Sequence, residues 1–403
     1  MSAPRFSVLV PTRDRPATLR HTLATIASQP GDDYEIVVAD NCGGPDTRGI
    51  VDELASQSIR YTRSDEILPM TENWERGLAL CSGDYITVLG DDDAFVPSTL
   101  EMARKVIAVS NPELISWSPH TYWWPDTIVP WARNLLIVDL RDGAVELGSR
   151  QVLEQFYAGA LSFGDIPMIY CAFFHRGIIE EALRRYDGFF VPRDTAPDIS
   201  SGILGLHVTQ SYVRSNRPLS IRGNSGKSNG TAQWARSLGA EQREIYFREE
   251  RIGLQGMIHR SLVPSPNLHV IIASAKLKCR ELYFPTDDAL TVDLEAVLRS
   301  MIAGLNFEPE AYEDNLRDAK ALAAKLDVRL DPATIPGRQP IERRLLWGPV
   351  VNQDRSVQHL NVNCDLAGVR DIACAARLIE SLLPPVERFL VPPDAAPAGS
   401  SEA

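Results

Sequence analysis

The chain has 403 residues, 44% hydrophobic and 23% charged, an ordinary globular composition with length for two or three domains. Its formal net charge of -12 argues against broad electrostatic attraction to nucleic acid or anionic lipid, since both need an excess of Lys and Arg; a local basic site for one phosphate stays open. Cys42, Cys81, Cys171, Cys279, Cys364 and Cys374 lie far apart without a CxxC pair, which suggests neither a zinc site nor a disulfide framework, and no apolar run reaches membrane-spanning length. The expectation is a soluble, cytoplasmic protein, with peripheral contact at the inner face of the membrane left open.

From residue 6, "FSVLV" reads as a buried strand. The following "PATLRHTLATIASQ" sets Leu19, Leu23, Ile26 and Ala27 on one helical stripe, with Asp14 placed to cap it. "YEIVVAD" is a second strand, residues 46–56 a helix and "IRYTRS" a short strand. "TENWERGLALCS" is a helix opening on Thr71 with Glu72 in its first turn. "DYITVLG" is a strand ending on three consecutive aspartates, and "PSTLEMARKVIAVS" a helix with Pro97 at its start. This alternation predicts parallel βαβ units in a sheet covered by helices on both faces, with ligands at the carboxyl ends of the strands. Residues 12–15, 40–44 and 90–93 should therefore converge on one edge.

Beyond residue 118 the rhythm weakens. "SPHTYWWPDTIVPWARN" reads as a loop, "MIYCAFFH" as a strand, residues 176–185 as a helix, and "APDISSGILGLH" as a helix starting near Asp198. Residues 240–285 and 287–325 read as mainly helical, and "VPPDAAPAGSSEA" as a disordered tail.

In "LGDDDAF", Asp91, Asp92 and Asp93 stand in a row at a strand end. A solvated turn or helix cap would explain a pair of aspartates, but three like charges repel unless a cation or strong donors offset them. Hard carboxylate oxygens suit Mg2+ or Mn2+, held by one or two carboxylates together with substrate phosphates.

"SVLVPTRDRPATLRHTLATIASQ", then "YEIVVADNCGGPDT", then "NWERGLALCSGDYITVLGDDDAFVP", resembles the nucleotide-binding half of the family 2 glycosyltransferases, inverting enzymes of the GT-A fold. The resemblance covers roughly residues 5–110 and implies an α/β fold: a GT-A, Rossmann-like nucleotide-binding sheet flanked by helices, then a mainly helical C-terminal region. The organisation it suggests is a nucleotide-sugar half over residues 1–118, an acceptor and catalytic-base half over 119–235, helices over 236–390 and a tail over 391–403. It implies that Pro11, Thr12, Arg13 and Asp14 hold the nucleotide base and that Asp40 contacts base or ribose. Asn73 and Gly77 match a helix beneath the nucleotide, with close packing the competing reading. Asp91 and Asp93 match the DxD carboxylates, Asp93 on the metal and Asp91 on ribose or metal, the metal being Mn2+ or Mg2+. Asp92 faces the donor sugar or solvent.

The resemblance also makes Asp198, at a "PD" helix start, the candidate base, with a capping role as the compatible alternative; Asp165, Asp187 and Asp194 are weaker rivals. "SIRGNSGKSNGTA" resembles a loop that closes over the diphosphate, with Ser225, Lys227, Ser228 and Asn229 as donors. It contains no His for the metal, and His207, the nearest, reads either as a packed helix residue or as part of the acceptor site. Trp117, Trp123, Trp124 and Trp131 fit sugar stacking or core packing equally well.

The implied activity is inverting, metal-dependent transfer from a UDP- or GDP-sugar to a hydroxyl of a glycan or lipid-linked acceptor, as in cell-surface polysaccharide biosynthesis. The alternatives are a non-catalytic glycan-binding or scaffold protein, which should lose the carboxylate cluster, and a sugar nucleotidyltransferase, which should carry a Gly-rich loop where this chain has "PTRDRP". The C-terminal helices carry no chemical motif and read as a cap over the site or a homo-oligomer interface.

Overall fold

The computed structural model describes residues 5–54, 59–340, 347–352 and 357–391. Its strands are β1 (Phe6–Thr12), β2 (Tyr34–Asp40), β3 (Ile59–Arg63), β4 (Tyr85–Val88), β5 (Ala94–Phe95), β6 (Leu114–Trp117), β7 (His120–Trp123), β8 (Leu135–Asp139), β9 (Ala144–Gly148), β10 (Ala172–His175), β11 (Ser211–Ser215), β12 (Ser220–Asn224), β13 (Gly348–Val351) and β14 (Val357–Asn363). They form one sheet in the order β3-β2-β1-β4-β10-β6-β11-β9 and a second in the order β13-β14-β8-β7-β12-β5. The first four strands of the large sheet are parallel, as the alternating pattern predicts; β10 then enters antiparallel between β4 and β6.

Every residue of β2 is buried, because helices cover both faces of the sheet. Alternate side chains enter opposite cores. Val8, Val10 and Val38 pack with Leu19, Leu23 and Ile26 of the helix Pro16–Ala27. Leu9, Val37 and Ala39 pack with Trp74 and Leu78, and this core continues to Ile199 and Ile203 of the helix Pro197–Val208. Each such side chain contributes about 1.5–3 kcal/mol through burial. Gly77 belongs to this packing: a Cβ there would lie 2.5 Å from Leu9 Cδ1 and 2.8 Å from Ala39 Cβ.

Several local expectations shift. The stretch read as a loop after residue 118 contains β7, whose "HTYW" pairs with β8 and β12 before Pro125 ends the ladder. The helix expected at Pro97 is Thr99–Ser110, and the one expected at Thr71 begins at Met70. Asp14 is not a cap: Arg15 occupies the N-cap position of Pro16–Ala27, and Asp14 holds a left-handed φ of 52°.

The helices Ala240–Glu249, Leu268–Tyr283, Leu294–Ala303 and Tyr312–Lys325 make up the mainly helical C-terminal region. Its last part does something periodicity did not show. The β13/β14 hairpin extends the second sheet across β8, and the helix Ile372–Leu382 buries Ile372, Ala375 and Ile379 against Ala94, Val96 and Ile221. The expected tail lies outside the described residues beyond Val391, as do the last two residues of the helix expected over 46–56. Among the described residues no helix is long and apolar enough to cross a membrane.

Candidate active site

The three aspartates occupy the turn where the chain leaves β4 in one sheet and enters β5 in the other. Asp91 Oδ2 accepts a 2.7 Å bond from Thr12 Oγ1, and its Oδ1 accepts one of 3.0 Å from Arg15 Nη1. Asp92 Oδ2 accepts from Ser225 Oγ at 2.5 Å. Asp93 Oδ1 accepts from the Gly223 amide at 2.7 Å and its Oδ2 from the Gly90 amide at 3.1 Å. Gly223 is obligatory here, because a Cβ would sit 1.7 Å from the Asp92 carbonyl oxygen. Trp124 Nε1 donates to that same carbonyl at 3.0 Å, which fixes the turn from behind.

Burial pushes the Asp92 and Asp93 carboxyls above the usual carboxylate range. Asp91 adds to the effect at Asp92 against the pull of Arg15, and Asp92 adds to it at Asp93. Arg15 stays firmly protonated: burial opposes its charge, but Asp91 and Asp92 outweigh it. Arg15 and Arg222 thus face three carboxylates, and the turn keeps a net negative charge when all three are ionised.

A cavity of about 380 Å³ opens in front of this turn. Pro11, Thr12, Arg13, Asn73, the three aspartates, Asp198 and Ser228 all line it. Asp198 is the second residue of the helix Pro197–Val208, one place inside the N-cap position held by Ala196, so it serves the helix start from the first turn and not as the N-cap residue. Its Oδ1 accepts the adjacent Ile199 amide at 2.9 Å, and burial raises its carboxyl despite that bond and the nearby Arg222 charge. A carboxylate raised in this way is a better proton acceptor than an ordinary one.

Other predicted residues lie elsewhere. Asp40 is 0% exposed and does not line the cavity; its oxygens accept from the Gly43 amide at 2.8 Å and the Tyr61 hydroxyl at 2.6 Å. Asp14 Oδ1 accepts from the Gly44 amide at 2.8 Å. Lys227 Nζ donates to the Asp14 carbonyl at 3.1 Å and lines a separate cavity of about 410 Å³. Ser228, besides lining the main cavity, caps the helix Asn229–Trp234 through Thr231 N. His207 stacks on Tyr283 and bonds the Tyr186 hydroxyl, a packed helix residue. Trp117 is buried with Nε1 on Ser220 Oγ, and Trp123 meets Trp234 edge to face. Asp165 closes a turn with Ser162, Asp187 ends a helix, and Asp194 pairs with Lys278 at 2.6 Å.

Some residues of the site carry no sequence signal. Arg15 lies within the strand-end stretch 12–15 but one place beyond the Pro11–Asp14 run that the resemblance singles out, and nothing in the sequence signals its pairing with Asp91. Arg222 projects from β12 into the cavity, while Glu249 and Glu250 reach it from a C-terminal helix and the residue after it. Among the described residues no three His, Cys, Asp or Glu side chains form a metal cage. The carboxylate turn nonetheless fits a hard divalent cation that takes one or two protein carboxylates and completes its shell from phosphate, because its three carboxylates outnumber the two guanidinium groups near them.

Residues 7–182 match the family described as Glycosyl transferase family 2. Over that segment the chain is similar to this family. The chain is 31% identical over 100 residues to a GalNAc(5)-diNAcBac-PP-undecaprenol beta-1,3-glucosyltransferase of Campylobacter jejuni, covering 24% of this chain and 32% of that one. It is 31% identical over 117 residues to a PGL/p-HBAD biosynthesis glycosyltransferase of Mycobacterium bovis, covering 28% and 45%. The chain thus spans about a third and just under half of the length of these two relatives. Among solved structures it is similar to TarS 1-349 of S. aureus in complex with UDP-GlcNAc (14% identity, 80% and 92% coverage, TM-score 0.48). It is also similar to the mannosyltransferase PcManGT of Pyrobaculum calidifontis in complex with GDP-Man and Mn2+ (18% identity, 81% and 87% coverage, TM-score 0.43).

Proposed function

We propose that this protein is an inverting, metal-dependent glycosyltransferase that moves a sugar from a nucleotide diphosphate-sugar to a hydroxyl of a glycan or lipid-linked acceptor. The observation that carries the reading is that the aspartate turn and Asp198, more than 100 residues apart in sequence, line one cavity. That arrangement can hold a diphosphate at one end and a proton acceptor at the other.

In this reading Pro11, Thr12, Arg13 and Asn73 form the wall against which the nucleotide lies. Asp91 and Asp93 hold Mn2+ or Mg2+, which when bound supplies the positive charge opposite the diphosphate. Asp92 ties the loop at Ser225 to the turn and keeps that side of the cavity closed. Ser228 lies where its hydroxyl can meet phosphate. As the acceptor oxygen attacks the anomeric carbon, its proton passes to Asp198, and the bond from that carbon to the diphosphate oxygen breaks with its electron pair leaving on the diphosphate. Attack opposite the leaving group inverts the anomeric centre.

The test is incubation of the purified protein with UDP- and GDP-sugars and Mn2+, following nucleotide release with and without EDTA. Release that requires metal supports the reading. Neither binding nor turnover of any nucleotide sugar would sink it.

A further inference from the structure

A carboxylate from the C-terminal region lines the cavity near Arg13 and Met70, whereas Asp40 does not line it. Both Asp40 oxygens are engaged inside the sheet by Gly43 and Tyr61. Across the cavity, the helix Ala240–Glu249 brings Glu249 within 2.6 Å of Arg13, and the next residue, Glu250, accepts a 2.8 Å bond from the Met70 amide on Oε1. Arg251 adds a 2.9 Å bond to the Ile67 carbonyl, so this segment is fastened to the 67–70 loop at successive residues. Glu250 is only 8% exposed, yet it lines the cavity, and among the described residues its Oε2 has no partner. With Oε1 committed to the Met70 amide, the other oxygen of this cavity-lining carboxylate is available to a donor on a ligand.

We infer that Glu250, with Arg13 held beside it by Glu249, reads the base of the donor nucleotide and selects guanine over uracil. This rests on the donor-site reading above and names the base that that reading leaves open. Guanine presents a ring N–H next to an exocyclic amino group, two adjacent donors that a carboxylate can accept together, and a carbonyl that suits the Arg13 guanidinium. Uracil presents a single N–H between two carbonyl oxygens, and those oxygens would face Glu249 and Glu250. Specificity then comes from repulsion as well as attraction.

Calorimetric titration of the full chain with GDP, IDP and UDP in Mg2+, for wild type and Glu250→Gln, tests this. The expected result is GDP binding at least about tenfold tighter than UDP, IDP weaker than GDP because it lacks the amino group, and a collapse of both preferences in Glu250→Gln. The GDP/IDP comparison uses wild type and so does not depend on the variant folding. UDP binding as tightly as GDP, or equal losses for GDP and UDP in Glu250→Gln, would overturn the inference while leaving the donor site standing. If none of the three nucleotides binds, the donor-site reading falls with it.

Discussion

Arg15 joins three parts of the site: one guanidinium nitrogen bonds Asp91 at 3.0 Å and another bonds the carbonyl of Lys227. The side chains of this pair are 18% and 5% exposed, so each charge depends on the other for compensation. Arg15→Ala should lower stability by about 3 kcal/mol by leaving Asp91 buried with only the Thr12 hydroxyl, and should weaken nucleotide binding as the 225–228 loop loses its anchor. Urea unfolding together with nucleotide titration checks both effects. Arg15→Lys should recover part of the stability, since a point charge replaces the fork.

Asp198 and Asp93 face the same cavity but have separable tasks. Asp198→Asn should reduce turnover by about 10²–10⁴-fold while leaving donor affinity unchanged, as expected for loss of a proton acceptor. Because burial raises the Asp198 carboxyl, the wild-type rate should fall, as pH is lowered, at a value above the ordinary carboxylate range. Near-normal turnover in Asp198→Asn would assign the base elsewhere.

For Asp93→Asn the expectation differs. Wild-type protein should melt at a higher temperature with Mn2+ and a nucleotide diphosphate than with EDTA, and Asp93→Asn should lose most of that metal-dependent rise. The comparison needs no acceptor. An undiminished rise in the variant would remove Asp93 from the metal site.

What the sequence disclosed follows from which interactions are local. The buried runs of β1 and β2, the stripe Leu19-Leu23-Ile26 and the carboxylates at a strand end are written in short-range periodicity, so the parallel half of the sheet and its ligand edge were readable. Asp198 was readable because it opens a helix in a recognisable phrase. Arg15 with Asp91 and Met70 with Glu250 are pairings across 76 and 180 residues, and spacing carries no trace of them. Asp40 shows a related limit: its place at a strand end was visible, but the hydroxyl that Tyr61 sends across from β3 was not. β7 was hidden because Pro and Trp around "HTYW" mask a strand that only its neighbours in the second sheet stabilise.

The Asp40 contacts give a further test. Tyr61→Phe removes one donor from a carboxylate with no solvent access, and should cost about 1–3 kcal/mol of stability. If Asp40 acts only through the sheet, donor affinity should change little. A large affinity loss at unchanged stability would return Asp40 to the nucleotide.

Glu250 should destabilise the fold that holds it. Burial pushes its carboxyl up to about 7, with Glu249 and Glu72 adding to the effect, whereas in the unfolded chain it titrates near about 4.3. Between those values the folded state keeps a proton that the unfolded state has released, so stability from this group falls as pH rises, and the full penalty is present above about 7. Gln carries no charge and keeps an oxygen to accept from the Met70 amide. Glu250→Gln should therefore match wild type near pH 4 and exceed it by about 3–4 kcal/mol at pH 8, while losing preference for guanine nucleotides. Urea unfolding at both pH values measures the difference. A variant that gains nothing between pH 4 and pH 8 would show that Glu250 does not carry this burial cost.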